Sequence, residues 1–312
     1  ITNVDWGETL RGLEQASVPL LLAALAVESL HYPVKTLRWW LLLCGRHRIP
    51  FRSVLRAHAA GCLLGDLSPA RVGELARPLV VSAGPGPIDF PFAFGTAVAA
   101  KTTDLFLLGC LALASSLLLD LPAWVDLSLG AGGGGIVLVL AVLAAGGRRL
   151  TDRLVPLIRR AKQILPGRLG RTIVADSIVS WMGCIADVAR PPVVGRHLAL
   201  SVGILSMNLL SGYLVLSSAG LDVGLREVVL VQTLMSLAFI LPSPPTYAGS
   251  VHFFVIEAVV LSGAGDASRG MTAGILAHLV EAGAVVALAL ACVPGMVFGG
   301  RPGGTKEVPP CG

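Results

Sequence analysis

Five stretches of the chain are long enough and apolar enough to cross a lipid bilayer as helices. An α-helix needs about 20 apolar residues to span the hydrocarbon core. Backbone N–H and C=O groups inside hydrocarbon must be paired within the protein, which leaves only helices and closed β-barrels. The stretches are continuous and lack the alternating pattern of barrel strands, so the sequence predicts an all-α, polytopic membrane helix bundle. The predicted spans are residues 17–43, 91–119, 124–146, 197–217 and 271–297.

The composition excludes an ordinary soluble protein. Charged residues make up 14% of the chain, whereas a soluble domain has roughly 25%, so too few charges remain to cover a water-facing surface. The net charge of +5 does not predict nucleic-acid binding, because the basic residues lie in short loops between the apolar stretches. The sequence shows no glycine-rich phosphate loop, zinc motif or nucleophile elbow. We therefore expect no cofactor, no metal and no nucleic-acid partner.

The basic loops predict the orientation of the spans. Residues 147–171 contain eight basic residues and one acid, and residues 45–56 are also basic. Lys and Arg collect in cytoplasmic loops, so both segments should face the cytoplasm from a cell membrane. This requires the interrupted apolar stretch 52–86 to enter and leave on the cytoplasmic side, and the stretch 226–264 to do so from outside. We therefore expect two opposed re-entrant helical hairpins, an arrangement consistent with an inverted repeat.

Each interrupted stretch contains proline followed by glycine at its break. The first break contains Pro69 and Gly73, and the second contains Pro242, Pro245 and Gly249. Proline removes a backbone donor and disfavours helix in the residue before it, and glycine permits a turn, so these five residues are the predicted hinges. Broken backbone at membrane depth is tolerated only where protein or a water-filled cavity covers it. The pattern favours a transporter with a site near the bilayer midplane; the alternative is two ordinary helices kinked by proline.

Charged residues near the first break are the main candidates for a binding site, because ionisable groups inside a bilayer are costly. Arg71 and Glu74 are three residues apart and could pair on a helix. An arginine at a helix N-terminus also suits a phosphate. The alternative for Arg71 and Arg77 is that both reach lipid headgroups as interfacial anchors. Lys101 and Asp104 could neutralise each other within their span, or form the floor of the same cavity.

The second half of the chain offers further candidates. Tyr247 and His252 lie at the second break, and Glu257, His278 and Glu281 follow as secondary candidates. Two histidines and two glutamates could suggest a metal site, but the close spacing of a helical metal motif is missing. A role in proton coupling or headgroup binding is the favoured interpretation of these residues.

The chain is expected to form one domain. Residues 1–299 would make a single transmembrane domain, within which residues 147–190 form a basic cytoplasmic loop and an interfacial helix. Residues 300–312 would form a short cytoplasmic tail. Arg38–Trp40 ends the first span and is interpreted as an interfacial anchor. The orientation places residue 1 outside the cell, which predicts one further helix ahead of it.

Four short elements stand in order along nearly the whole chain. They are Leu37–Trp40, Leu67–Arg77, Lys101–Asp104 and Pro242–Gly249. The second reads LSPARVGELAR and is close to a Leu-Pro-x-Arg-x-Gly-Glu-x-x-Arg signature, the most specific of the four. Together they resemble the flippase-like transmembrane domain family of lysylphosphatidylglycerol synthases, which also includes stand-alone membrane proteins.

The sequence departs from the family's pattern at five positions. Thr246 stands in place of a glycine, and Ala100 and Lys101 stand in place of an acid and an arginine. His252 and His278 occupy positions where the family often has Glu and Arg. These departures bear on the substrate and the coupling ion more than on the fold.

The resemblance implies a lipid translocase that moves an anionic phospholipid or a polyprenyl-phosphate-linked lipid between leaflets. The family's soluble aminoacyl-transferase domain is absent from this sequence, so transport without enzyme activity is expected. The alternatives are a non-transporting scaffold for a lipid or cell-envelope glycan enzyme, and an intramembrane lipid-modifying enzyme. Membrane lipids are the expected partners, with a second copy of the chain or a glycosyl or lipid transferase left open. The residues expected to bind substrate are Arg71, Glu74, Arg77, Lys101, Asp104, Tyr247 and His252.

Overall fold

The computed structural model describes residues 4–68, 72–84, 88–161, 175–188, 191–238 and 244–297. Within these ranges the regular elements are eleven α-helices and one short 3₁₀ helix, which confirms the predicted all-α class. The α-helices are α1 (Trp6–Glu14), α2 (Val18–Cys44), α3 (Phe51–Leu67), α4 (Val72–Ser82), α5 (Phe90–Leu118), α6 (Ala123–Ala161), α7 (Ala175–Val188), α8 (Pro191–Ser218), α9 (Leu225–Ala238), α10 (Ser250–Leu261) and α11 (Ala267–Val297); the 3₁₀ helix is η1 (Pro245–Tyr247).

The five predicted spans are confirmed. Helices α2, α5, α6, α8 and α11 each contain a segment long and apolar enough to cross a membrane. Within the described residues these segments are Val18–Cys44, Phe90–Leu118, Ala123–Gly146, Val193–Ser218 and Ala267–Cys292.

Both interrupted stretches fold into pairs of short helices, α3 with α4 and α9 with α10, and the members of each pair pack on each other. The first pair starts after the C-terminal end of α2, and the second starts after the C-terminal end of α8. Those two ends lie at opposite ends of the bundle, because the Ser17 N–H ahead of α2 donates to the carbonyl of Ser218 at a distance of 3.0 Å. The hairpins therefore enter from opposite ends, and η1 at the tip of the second packs on α3 of the first.

The packing of the two halves follows the pattern of an inverted repeat. Helices α2 to α5 and helices α8 to α11 each run as a span, a hairpin and a second span. The first hairpin packs on α11 through α3, and the second packs on α5 through α9. Helices α2 and α8 pack against each other between the two halves.

Glycine plays a different part in each hairpin. Gly73 does not form a turn, as the sequence suggested, but lies in the first turn of α4, where it crosses α3. A methyl group on Gly73 would fall 2.6 Å from the Cα of Gly65, and one on Gly61 would fall 2.9 Å from the carbonyl oxygen of Gly73. Gly249, by contrast, has φ +88° directly before α10, a conformation that favours glycine. Pro245 begins η1, whereas Pro69 and Pro242 lie outside the described residues.

The basic segment after the third span is partly helical, where the sequence predicted a loop. Helix α6 continues as far as Ala161, because apolar residues such as Leu150, Leu154 and Leu157 recur among the arginines at helical spacing. The interfacial helix predicted nearby is α7, which packs on α5 and α6. Residues 162–174 and the predicted tail, 300–312, lie outside the described residues.

Candidate functional site

A cavity of about 550 Å³ lies in the middle of the bundle, and both hairpins contribute to its wall. Its volume falls within the range of about 300–1,000 Å³ that small-molecule sites occupy. Helices α2, α5, α8 and α11 supply the rest of the lining. The ionisable residues of the lining include Glu28, His31, Lys35, Asp66, Glu74, Arg77, Lys101, Asp104 and Glu281.

Arg38 is a buried member of this site and not the interfacial anchor that the sequence suggested. Its side chain is 1% exposed. Its Nη2 donates to Oδ1 of Asp104 at 2.6 Å, and its Nη1 donates to Oγ of Ser201 at 3.2 Å. Because a buried charge must be paired, Arg38 ties α2 to α5 and α8. Asp104 makes its 2.6 Å ion pair with Arg38, and Lys101 and Asp104 both line the cavity, as the second of the two alternatives expected.

Lys101 instead pairs with Glu74 of the first hairpin. The Lys101 Nζ donates to Oε1 of Glu74 at 3.2 Å. Both side chains are partly exposed to the cavity, at 46% and 39%, so the pair is weaker than a buried one. The predicted partner of Glu74, Arg71, lies outside the described residues.

Arg77 extends from α4 beside the same network. Its Nη2 lies 3.6 Å from Sγ of Cys62, a weak acceptor. Its buried Nε meets no hydrogen-bond acceptor among the described residues. Arg77 was predicted as a binding residue, and its guanidinium keeps donors that these residues do not satisfy.

A small recess next to the main cavity collects these charges; we call it the basic recess. Its volume is about 40 Å³, and its charged lining consists of Lys35, Arg38, Glu74, Arg77, Lys101 and Asp104. Four cations thus face two carboxylates. The excess of positive charge favours a bound anion with several acceptor oxygens, such as a phosphate.

The predicted residues of the second hairpin divide into two groups. Tyr247 lines the cavity, and so does Glu281 of α11. His252 and His278 lie away from its lining and stack on each other, with ring centroids 5.3 Å apart and planes at 18°. The Nδ1 of His252 also accepts a hydrogen bond from Gly249 N at 3.3 Å, at the start of α10. Glu257 lies on α10 and does not line the cavity either.

The family profile described as the lysylphosphatidylglycerol synthase TM region matches residues 1–289 of the chain. The chain belongs to this family. No curated protein sequence and no solved structure matched the chain. This member of the lysylphosphatidylglycerol synthase TM family is a multi-pass membrane protein, and the matched residues include all those that line the cavity and the basic recess.

Several lining residues of this family member were not singled out from the sequence. Glu28, His31, Lys35 and Arg38 follow one another along one face of α2. Their spacing of three or four residues is helical, and a polar stripe within an apolar span was the signal that could have found them. Asn208 and Gln232 add neutral polar groups from α8 and α9.

The expectation of no metal site stays a prediction. Across the described ranges, no three His, Cys, Asp or Glu side chains converge in a way that could hold a metal ion.

Proposed function

We propose that this protein is a lipid translocase that moves the headgroup of an anionic lipid between the leaflets of the cell membrane. The lipid would be a phospholipid or a polyprenyl-phosphate-linked lipid, and the protein would act by transport without chemistry of its own. The observation that carries the proposal is the basic recess, where four cations face two carboxylates between α2, the first hairpin and α5.

Arg77 is the residue best suited to bind the phosphate. A charged phosphate loses strong hydrogen bonds to water when it leaves the aqueous phase, so a carrier must replace them. The Nε of each of the two arginines of the recess lacks a partner among the described residues, but Arg38 is already held by the carboxylate of Asp104. Arg77, by contrast, has the weak acceptor Sγ of Cys62. Lys35 adds a second cation from α2. We expect Arg77 and Lys35 to make the first contacts, and Lys101 to join them by leaving Glu74.

The size of the cavity supports transport of the headgroup alone. A space of about 550 Å³ accommodates a phosphate with a small alcohol or a sugar, but not two acyl chains of a phospholipid as well. The apolar chains have no reason to leave hydrocarbon. In this proposal the chains stay in the bilayer while the headgroup crosses through the cavity, and the basic loops face the cytoplasm.

The test is lipid movement in proteoliposomes that contain the purified protein. The probes are fluorescent phosphatidylglycerol and a fluorescent polyprenyl phosphate, with the outer leaflet quenched chemically. Wild-type protein should raise the rate above that of protein-free vesicles. Arg77→Gln should lower it about tenfold or more, because a charge-assisted hydrogen bond contributes about 1.5–3 kcal/mol.

Arg226→Gln is the matched control, since Arg226 begins α9 with a side chain that is 65% exposed and lies outside the cavity. It should move lipid at the wild-type rate. If both probes stay in place with wild-type protein, the translocase proposal is wrong. A loss of movement in both variants would show that the effect of Arg77→Gln is not specific to the recess.

A further inference from the structure

A second cluster lies on the cavity face of α2, about one to two turns before Lys35, the first residue of the basic recess along the chain. It consists of Glu28 and His31, whose Oε1 and Nδ1 atoms are 3.2 Å apart. Both side chains are largely buried, with exposures of 15% for Glu28 and 6% for His31. Both line the cavity. The function proposed above, which needs cations for a phosphate, does not use them.

His31 has unused hydrogen-bonding capacity. The Nδ1 faces Glu28 at a distance that suits an ion pair, and the Nε2 has no hydrogen-bond partner among the described residues. A neutral imidazole beside a carboxylate leaves one negative charge on a largely buried pair, which is costly. One added proton converts the pair into imidazolium and carboxylate, with no net charge.

The surroundings of the pair include both polar and acidic groups. Ser211 and Asn208 of α8 face the cavity beside it, and Lys35 follows it on α2. Glu281 of α11, Asp66 of α3 and the neutral Cys62 line the same cavity and lie near Tyr32. The charged groups of α4 and α5 that share the cavity are Glu74, Arg77, Lys101 and Asp104. No cation other than Lys35 and those of the basic recess lines the cavity within the described residues.

A chain of packed rings connects the pair with the basic recess. His31 contacts Tyr32 edge to face at 5.4 Å, and Tyr32 contacts His58 of α3 at 6.1 Å. His58 borders the basic recess, where its Nδ1 lies 2.6 Å from Oγ1 of Thr36. Movement of one ring therefore affects the packing of the next, from one site to the other.

We propose that Glu28 and His31 form a proton-binding site that couples the movement of one proton to the movement of the anionic headgroup in the same direction. The proposal rests on the proposed translocase function. The sign follows from charge, since a proton bound at the pair removes a negative charge from the wall and raises the affinity of the cavity for an anion. Linkage is reciprocal, so a bound anion raises the proton affinity of the pair equally. A singly charged headgroup and one proton then cross together with no net charge.

The first experiment applies a pH gradient to proteoliposomes with fluorescent phosphatidylglycerol as the probe. Wild-type protein should move the lipid away from the acidic side about tenfold faster than towards it. Glu28→Gln should lose this asymmetry and still exchange lipid between leaflets without a gradient. Glu14→Gln, at an exposed position on α1, should keep the asymmetry. Wild-type movement that ignores the gradient overturns the proton inference alone, whereas no wild-type movement at all overturns the translocase function and the coupling with it.

The second experiment measures protons directly in detergent solution. Short-chain phosphatidylglycerol is added to weakly buffered protein, and a pH indicator reports proton uptake. Wild-type protein should take up as much as about one proton per lipid bound, by linkage. Glu28→Gln and His31→Gln should bind the lipid with little proton uptake, while Arg77→Gln should lose both binding and uptake. Uptake by Glu28→Gln equal to that of wild type would overturn the proposal, and size-exclusion profiles establish that each variant is folded.

Discussion

The two hairpins hold equivalent positions at opposite ends of the bundle, yet they supply different chemistry to the cavity between them. The first contributes Asp66, Glu74 and Arg77, all ionisable. The second contributes neutral groups, among them Gln232 and Tyr247. The charges of the basic recess therefore all come from the first half of the fold, although both halves share one arrangement of helices.

The backbone of the hairpins differs in the same way. Helices α3 and α4 cross where Gly61, Gly65 and Gly73 meet, so the first hairpin is a closely packed unit. The tip of the second contains Thr246 at φ 60° and Gly249 at φ 88°. A threonine in this conformation is unusual and costs about 1–3 kcal/mol. In the proposed translocase, the first hairpin holds the ligand, while the second has the local conformation typical of a segment that changes shape.

The largest effect on stability should come from loss of the ion pair between Arg38 and Asp104. Arg38→Met leaves Asp104 without its 2.6 Å partner and should lower the free energy of unfolding by about 3–5 kcal/mol. The double variant Arg38→Met/Asp104→Leu should regain most of that loss, because no charge is left unpaired. Thermal melting in detergent measures both. If the double variant were as unstable as Arg38→Met, the pair would stabilise the fold by more than the mutual compensation of its two charges.

A smaller loss should follow from Gly73→Ala at the helix crossing. The added methyl group meets the backbone of Gly65 at 2.6 Å, and backbone cannot move aside as a flexible side chain can, so a loss of about 3 kcal/mol is expected. The control is Gly132→Ala in α6, where a methyl group has no neighbour within 4 Å and should stabilise the helix slightly. Equal melting temperatures for the two variants would contradict the tight crossing.

The smallest effect on stability should come from Gly249→Ala at the second hairpin. A methyl group has free space there, so only the positive φ opposes it, at a cost of about 1–2 kcal/mol. Because this strain lies at the segment assigned to conformational change, lipid movement in proteoliposomes should slow while binding of short-chain phosphatidylglycerol stays intact. Gly195→Ala, also in free space but within α8, should change neither. If Gly249→Ala also lost the binding of short-chain phosphatidylglycerol, the proposed assignment of binding to the first hairpin and conformational change to the second would be wrong.

Much of the fold could be predicted because a membrane leaves few alternatives. The length of the apolar stretches located the spans, and the placement of basic residues required opposed hairpins. The loop predicted at 147–171 failed in its first part, where helical spacing of Leu150, Leu154 and Leu157 continues α6. The spacing of these leucines predicted the continuation of the helix, whereas the many arginines favoured the interpretation as a loop.

The site was predicted in part, and the failures have one physical cause. Glu74, Arg77, Lys101, Asp104 and Tyr247 were expected at the cavity, and they line it. The partners of these residues were not predictable, because spacing along one helix does not determine which neighbouring helix a side chain contacts. Lys101 and Asp104 share α5, yet each pairs with a different helix. That choice depends on how α2, α4 and α5 pack.

The prediction of site residues from the sequence also placed too much weight on two histidines. His252, at the second break, was grouped with the substrate site, and His278, in the last span, was a secondary candidate. They stack on each other away from the cavity, while His31, within the first span, faces it. Proximity in sequence to a break did not determine which ionisable groups reach the cavity.

The bridge between Lys101 and Glu74 has a consequence for the resting protein. It is the described ion pair that joins the first hairpin to a full span, and its lysine is also one of the cations of the basic recess. A phosphate that binds Lys101 competes with the Glu74 carboxylate for the same ammonium group. In the proposed translocase, a bound lipid therefore weakens the ion pair between the first hairpin and α5. Without a bound lipid the ion pair stays intact and keeps the hairpin closed against the span, so small ions do not leak through.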